Sequence, residues 1–133
     1  MNTHSENMGR ILFLIGIGGF AGSILRHLTV SACSRLFSSA FPSGTFIVNI
    51  SGCLAIGIVA ELSQRYDWIG EEWRLMLMTG LLGGYTTFSA FSLENLKLLQ
   101  NSEYLTFAIY SVSSFCFGLL AAFTGMMLVK YLG

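Results

Sequence analysis

Long apolar runs separated by short polar stretches set the pattern of this chain. The first run begins at Ile11, reaches Leu25 and keeps its character past Arg26 and His27; the second extends from Leu36 to Ala60. The third, Leu75 to Leu93, contains no charge, and the fourth covers Tyr104 to Val129 and is closed by Lys130. A helix needs ~20 apolar residues to cross a bilayer, so the pattern predicts four transmembrane helices, at about 9–33, 44–61, 74–96 and 104–130, in one domain over 1–133. Pro42 and Gly44 read as a turn or helix start, which places the second helix from Gly44 onward. The first run reads as a span and not as a cleaved leader, because it continues past its charges and three more spans follow. Between the spans lie a polar terminus to Arg10, a charged connection from Glu61 to Arg74, and a short polar loop from Glu94 to Glu103 containing Lys97. Trp68 and Trp73 read as interfacial anchors in the charged connection.

The third run is built to be a poor helix at its middle. Gly83 and Gly84 have the most backbone freedom to lose, and Thr86 and Thr87 are β-branched. The expectation is a broken third helix, whose freed backbone groups must be buried in protein or line a cavity. Phe88 and Phe91, three apart, share a face just after the break, with Thr87, Ser89 and Ser92 nearby. Elsewhere at depth, Asn49 is a buried amide, and Tyr110 and Ser114 are four apart on one face with Ser111 and Ser113 beside them. Asn49 reads equally as helix glue or as a pathway group, and the serines could bond their own backbone. Gly18 with Gly22, and Gly118 with Ala122, are small-x-x-x-small pairs that allow close helix approach.

Composition sharpens the class. Of 133 residues, 53% are hydrophobic and 11% charged, with a mean hydropathy of +0.67, against roughly 25% charged in a soluble domain. The reading is an all-α integral membrane protein. Seven basic and seven acidic residues give no net charge and no basic cluster, so no nucleic-acid partner is implied. Cys33, Cys53 and Cys116 have neither C-x-x-C spacing nor a nearby histidine and read as small apolar fillers.

The distribution of charge bears on assembly. Arg10, Arg65, Arg74 and Lys130 fall on one side of a four-span arrangement, and Arg26, Arg35 and Lys97 on the other. The bias of Lys and Arg normally sets orientation, and here there is almost none, which predicts insertion both ways. Four short helices do not easily enclose a polar path, so the expectation is an antiparallel dual-topology homodimer with its twofold axis in the membrane plane. The broken stretches of the two copies would then meet at the midplane and could jointly hold a cation on their carbonyls.

Candidate chemistry is sparse. No Asp, Glu, Lys or Arg lies in the middle of a predicted span, whereas coupled transporters usually keep an ionisable group there. That favours passive conduction. A nucleophile with its base, a metal-ligand cluster and a phosphate loop are all lacking, so an enzyme is not expected. The groups left at depth are an amide, hydroxyls and aromatic rings. Ring edges are partially positive and N–H and O–H groups are donors, a set that suits a small anion.

Three stretches, G-I-G-G-F-A-G-S-I-L-R-H in the first span, P-S-G-T-F-I-V-N-I-S-G in the second and G-L-L-G-G-Y-T-T-F-S-A-F-S in the third, resemble the Fluc, or CrcB, fluoride channels. The resemblance covers all four spans. It implies an antiparallel dimer in the bacterial inner membrane, with two fluoride pores and a structural sodium ion held by backbone carbonyls corresponding to Gly83 and Thr86. It implies that Phe88 and Phe91 line the pore, with Asn49, Thr87, Tyr110 and Ser114 along it and Arg26 at a vestibule. Two positions depart from the family pattern: Ala90 stands where a threonine is common, and His27 where tyrosine or tryptophan often stands. The alternatives are a small multidrug exporter, which needs a membrane-embedded carboxylate, and a non-conducting assembly subunit.

Overall fold

The computed structural model describes residues 3–37, 39–67 and 69–132, and within them every regular element is helical. α1 spans Thr3–Leu36, α2 Ser43–Arg65, α3 Glu71–Arg74, α4 Gly83–Tyr85, α5 Phe88–Gln100 and α6 Tyr104–Leu132, and a π-helical stretch, Leu75–Leu82, joins α3 to α4. Among the described residues, three helices are long and apolar enough to cross a membrane, over Asn7–Leu36, Ser43–Arg65 and Tyr104–Tyr131. Phe13, Phe20, Phe115 and Phe123 are exposed on the first and last of these. So much outward apolar surface suits lipid and would be a liability in water. This is a multi-pass membrane protein.

The segment after α3 is made of shorter pieces. In the π-helical stretch the Gly83 N–H reaches the Met78 carbonyl, five residues back, which widens the turn. Gly83 and Gly84, the expected point of weakness, are helical. The chain becomes extended two residues later, with Thr86 at φ −76° and ψ 158° and Thr87 at φ −152° and ψ 115°. What the glycine at position 84 provides is space: a Cβ there would lie 2.6 Å from the Gly19 carbonyl oxygen on α1. The β-branched threonines accept the extended conformation that the glycines do not need.

Close backbone approach organises the rest. A Cβ on Gly22 would strike the Leu81 carbonyl, so the G-x-x-x-G pair of α1 seats the π-helical stretch within the one chain. α2 and α6 meet through Gly57, against the Ala122 carbonyl, and Gly125, against the Leu54 carbonyl. The tight point on α6 is therefore Ala122 with Gly125; Gly118, expected to share it, has only the Cys53 Sγ at 3.6 Å from a would-be Cβ. Arg65, at the end of α2, donates to the carbonyls of Val129 (3.1 Å) and Lys130 (3.2 Å). A cation there satisfies orphan carbonyls at the negative end of α6. Arg10 pairs with Glu72 at 2.9 Å, tying α1 to α3.

Both polar connections are shorter than expected. α2 runs on to Arg65 and α3 begins at Glu71, so Glu61, Arg65 and the Glu71–Arg74 group lie on helices. Glu94 to Gln100 likewise belongs to α5, and only 101–103 connects it to α6, with Ser102 at φ 61°. The local reason is the face that Phe91, Asn95 and Leu98 share at helical spacing, which buries Asn95 and Leu98. Trp73 is exposed on α3, and Trp68 lies outside the described residues. Cys33 is buried, Cys53 half-buried and Cys116 exposed, all three as free thiols.

Candidate functional site

The extended pair Thr86–Thr87 is held from α2. Asn49 faces Thr87 with both ends of its amide: Nδ2 donates to the Thr87 carbonyl at 3.1 Å, and Oδ1 accepts the Thr87 N–H at 2.8 Å. In a continuous helix that N–H would go to the Gly83 carbonyl. Asn49 thus stands in for the lost helical bond, and one of its two N–H groups lies outside this pair. Thr87 also starts α5, its Oγ1 accepting the Ala90 N–H at 3.2 Å and lying 3.3 Å from the Ser89 hydroxyl. The Ser92 hydroxyl turns back to the Phe88 carbonyl.

Beyond the break the rings form a line. Phe88 and Phe91 lie 5.8 Å apart, Phe91 and Tyr110 5.1 Å, and Tyr110 and Phe41 5.3 Å, the last edge to face. The structure brings Phe88, Phe91 and Tyr110 together, but their surroundings differ sharply. Tyr110 is 0% exposed and Phe88 79% exposed. A single chain therefore encloses one end of the line and leaves the other open. Ser114 does not join its predicted companion: its hydroxyl is buried with no partner among the described residues, while the Ser113 hydroxyl donates to the Tyr110 carbonyl at 3.4 Å.

Sequence reasoning missed Glu94 and Thr45. The Tyr110 hydroxyl donates to one Glu94 oxygen and the Thr45 hydroxyl to the other, each at 2.7 Å. Both bonds have the usual length of a good O–H···O contact. Glu94 is half-buried, and no described basic group lies within ion-pairing distance of it. A signal was available. Glu94 follows Phe91 by three residues and Thr45 precedes Asn49 by four, so each shares a helical face with a residue already singled out.

Three clefts follow these residues. One of about 260 Å³ is lined by Asn49, Cys53, Thr86, Thr87 and Phe88. A larger one of about 530 Å³ is lined by Arg26, His27, Thr45, Thr87, Ser89 and Glu94, and a third of about 220 Å³ by Ser34, Phe41, Ser43, Thr45 and Glu94. The first two share Thr87; the second and third share Thr45 and Glu94. Arg26, expected at a vestibule, lines the cleft of about 530 Å³, and its guanidinium reaches the Thr86 carbonyl at 3.4 Å.

That contact bears on the expected sodium site. The Gly83 carbonyl loses its helical partner to Asn49, and the Thr86 carbonyl is exposed to a bond longer than the ~2.7–2.9 Å of a firm charge-assisted contact. Neutral carbonyl oxygens are the kind of ligand a hard cation takes; the Gly83 carbonyl, without its Thr87 partner, and the Thr86 carbonyl, on extended backbone, fit such an ion in their donor chemistry. Among the described residues, no cluster of His, Cys, Asp or Glu could hold a metal.

With this geometry in place, similarity to known proteins becomes informative. The family described as CrcB-like protein, Camphor Resistance (CrcB), matches residues 13–126, which include every residue of the site. The chain belongs to the CrcB family. A relative from Flavobacterium psychrophilum named fluoride-specific ion channel FluC is 41% identical over 123 residues, covering 92% of this chain and 99% of its own. A FluC 2 from Nitrobacter hamburgensis is 40% identical over 90% of this chain and 96% of its own, and a FluC from Phocaeicola vulgatus is 44% identical over 86% and 94%. These CrcB-family relatives are named as ion channels, not as enzymes.

Proposed function

We propose that the protein is a fluoride channel that lets the ion leave the cytoplasm passively. The observation that carries this reading is the set of clefts that share Thr87 and Thr45–Glu94 and include Asn49 and Phe88 in their lining, with Phe91 against Phe88 and Tyr110 bonded to Glu94. Relatives named as fluoride channels, matched over 99% and 96% of their own length, support it. Fluoride holds its water strongly, so a pore must replace hydration at several points and bind weakly at each. Donors are available in sequence along the line: the second Asn49 N–H, the hydroxyls of Thr87, Ser89 and Thr45, and the Tyr110 hydroxyl. Arg26 would raise the local anion concentration in the large cleft. Glu94 would hold the Thr45 and Tyr110 hydroxyls in place until an anion competes for them.

The assembled unit is an antiparallel dual-topology homodimer in the bacterial inner membrane, with two pores. Phe88, open to its surroundings in one chain, would acquire its missing wall from the second copy. In this assembly the segment 71–100 acts as the broken third span, with Ser114 further along the path. A sodium ion would be held by the Gly83 and Thr86 carbonyls of both copies, and bound there it would offset clustered carbonyl dipoles. Glu94 supplies the embedded carboxylate that a small multidrug exporter needs, but both its oxygens are engaged by hydroxyls and the family is a different one.

The deciding experiment is efflux from liposomes loaded with fluoride or chloride and reconstituted with purified dimer. The expected result is fast fluoride release with negligible chloride release. Silence in both traces from folded dimer would overturn the channel reading in favour of an assembly subunit.

A further inference from the structure

A polar residue outside this line is buried as well. Asn95, on α5, is 7% exposed, and its amide is used at both ends. Nδ2 donates to the carbonyl of Phe91 at 3.0 Å, one turn back on α5, and Oδ1 accepts the Ser111 hydroxyl of α6 at 2.9 Å. An amide buried in an apolar protein is costly unless it is paired, and apolar residues would fill the same place without that requirement. Ser111 has an alternative too, since a helical serine can bond its own backbone; here it reaches across to the other helix.

The location gives the bond its meaning. Asn95 follows Glu94 directly, and Ser111 follows Tyr110 directly, so the Ser111–Asn95 bond is the neighbour of the Tyr110–Glu94 bond. The two bonds leave adjacent positions of each helix, about 100° apart around the axis, and together they fix how α5 is rotated against α6. Rotation is the variable that decides whether the Phe91 ring lies 5.1 Å from Tyr110. The bond from Asn95 to the Phe91 carbonyl ties the clamp to the backbone that carries that ring.

We propose that Asn95, with Ser111, is a positioning pair that sets the rotation of α5 on α6 and so holds Phe91 and Glu94 against Tyr110 in the conducting line. The inference rests on the channel reading above. Neither residue needs to touch the ion; each acts through Phe91, Glu94 and Tyr110.

The test compares wild type with Asn95→Leu, which keeps the branched side-chain shape and removes both bonds, with Ser111→Ala, and with the exchange Asn95→Ser/Ser111→Asn. Each is purified as dimer, melted in detergent, and reconstituted for parallel fluoride and chloride efflux. Asn95→Leu should slow fluoride on the order of tenfold and raise chloride release relative to fluoride. Ser111→Ala should show a smaller change in the same direction, and the exchange should recover most of the lost selectivity. A purely structural role would shift only the melting temperature. Wild-type rate and selectivity in Asn95→Leu would overturn the proposal. Should that variant not fold, an unchanged flux ratio in Ser111→Ala would overturn it equally. If wild type itself carries no fluoride, the channel reading fails; if wild type conducts and the variants match it, only this inference fails.

Discussion

The α2–α6 pair and the segment from Glu71 to Gln100 solve the packing problem in opposite ways. α2 and α6 are continuous helices that meet where side chains are missing, Gly57 under the Ala122 carbonyl and Gly125 under the Leu54 carbonyl. Arg65 closes one end. The 71–100 segment has a π-helical stretch, two extended residues and a short helix, and side-chain bonds repair it: Asn49 on Thr87, Thr45 and Tyr110 on Glu94, Ser111 on Asn95. Backbone groups released inside a membrane must find partners within the protein. The contrast teaches that the irregular segment presents the polar groups that need partners, while the regular pair supplies both its wall and, through Thr45, Asn49, Tyr110 and Ser111, those partners.

Substitutions should separate the two regions. The largest effect belongs to the wall. Gly57→Val puts a branched side chain where the Ala122 backbone already lies, and overpacking of this kind costs ~1–3 kcal/mol or more when backbone must move. The expected outcome is loss of the monodisperse protein on gel filtration; a well-behaved variant with full flux would show that α2 and α6 can separate freely.

Next comes the repair of the break. Asn49→Ala leaves the Thr87 N–H and carbonyl without their partners, and an unsatisfied buried group costs ~1–3 kcal/mol. Melting should fall clearly and fluoride efflux should stop, whereas an unaltered melt would mean that the break holds itself. Tyr110→Phe keeps the ring line and removes one donor from Glu94, a change of ~1.5–3 kcal/mol for a bond to a charged group. Fluoride efflux should fall with little loss of dimer, and wild-type efflux would remove the hydroxyl from the pathway. The smallest effect lies outside both regions. Ser102 occupies a left-handed conformation at φ 61° that costs a non-glycine residue ~1–2 kcal/mol. Ser102→Gly should raise the melting temperature slightly and leave flux unchanged; a lower melt would show that the serine side chain contributes more than its strain.

How much of this was legible in the residues differs from place to place. Phe88, Phe91, Asn49, Thr87 and Tyr110 stood out because amides, hydroxyls and paired rings are unusual in apolar runs. Glu94 did not, because it follows the last apolar residue of its run and looks like the start of a loop. Only the continuation of α5 to Gln100 turns it toward α6. The weak point was expected across Gly83–Gly84 and the β-branched Thr86–Thr87 together; the glycines are helical and the chain opens at the two threonines. Propensity describes an isolated segment, and here α1 presses on Gly84 while Asn49 captures Thr87.

The sequence by itself determined the helical class, the apolar lengths that suit a bilayer, and which side chains are chemically out of place within them. Those properties depend on local composition and on spacing along one helix. Tertiary structure alone decided which of those side chains meet. Tyr110 is paired with Glu94, 16 positions away, and Glu94 in turn with Thr45, 49 positions away, while Ser114 is left without a partner among the described residues. Such partnerships depend on how far each helix is rotated against its neighbour, and that rotation is set by the glycine contacts and side-chain bonds of the whole chain together.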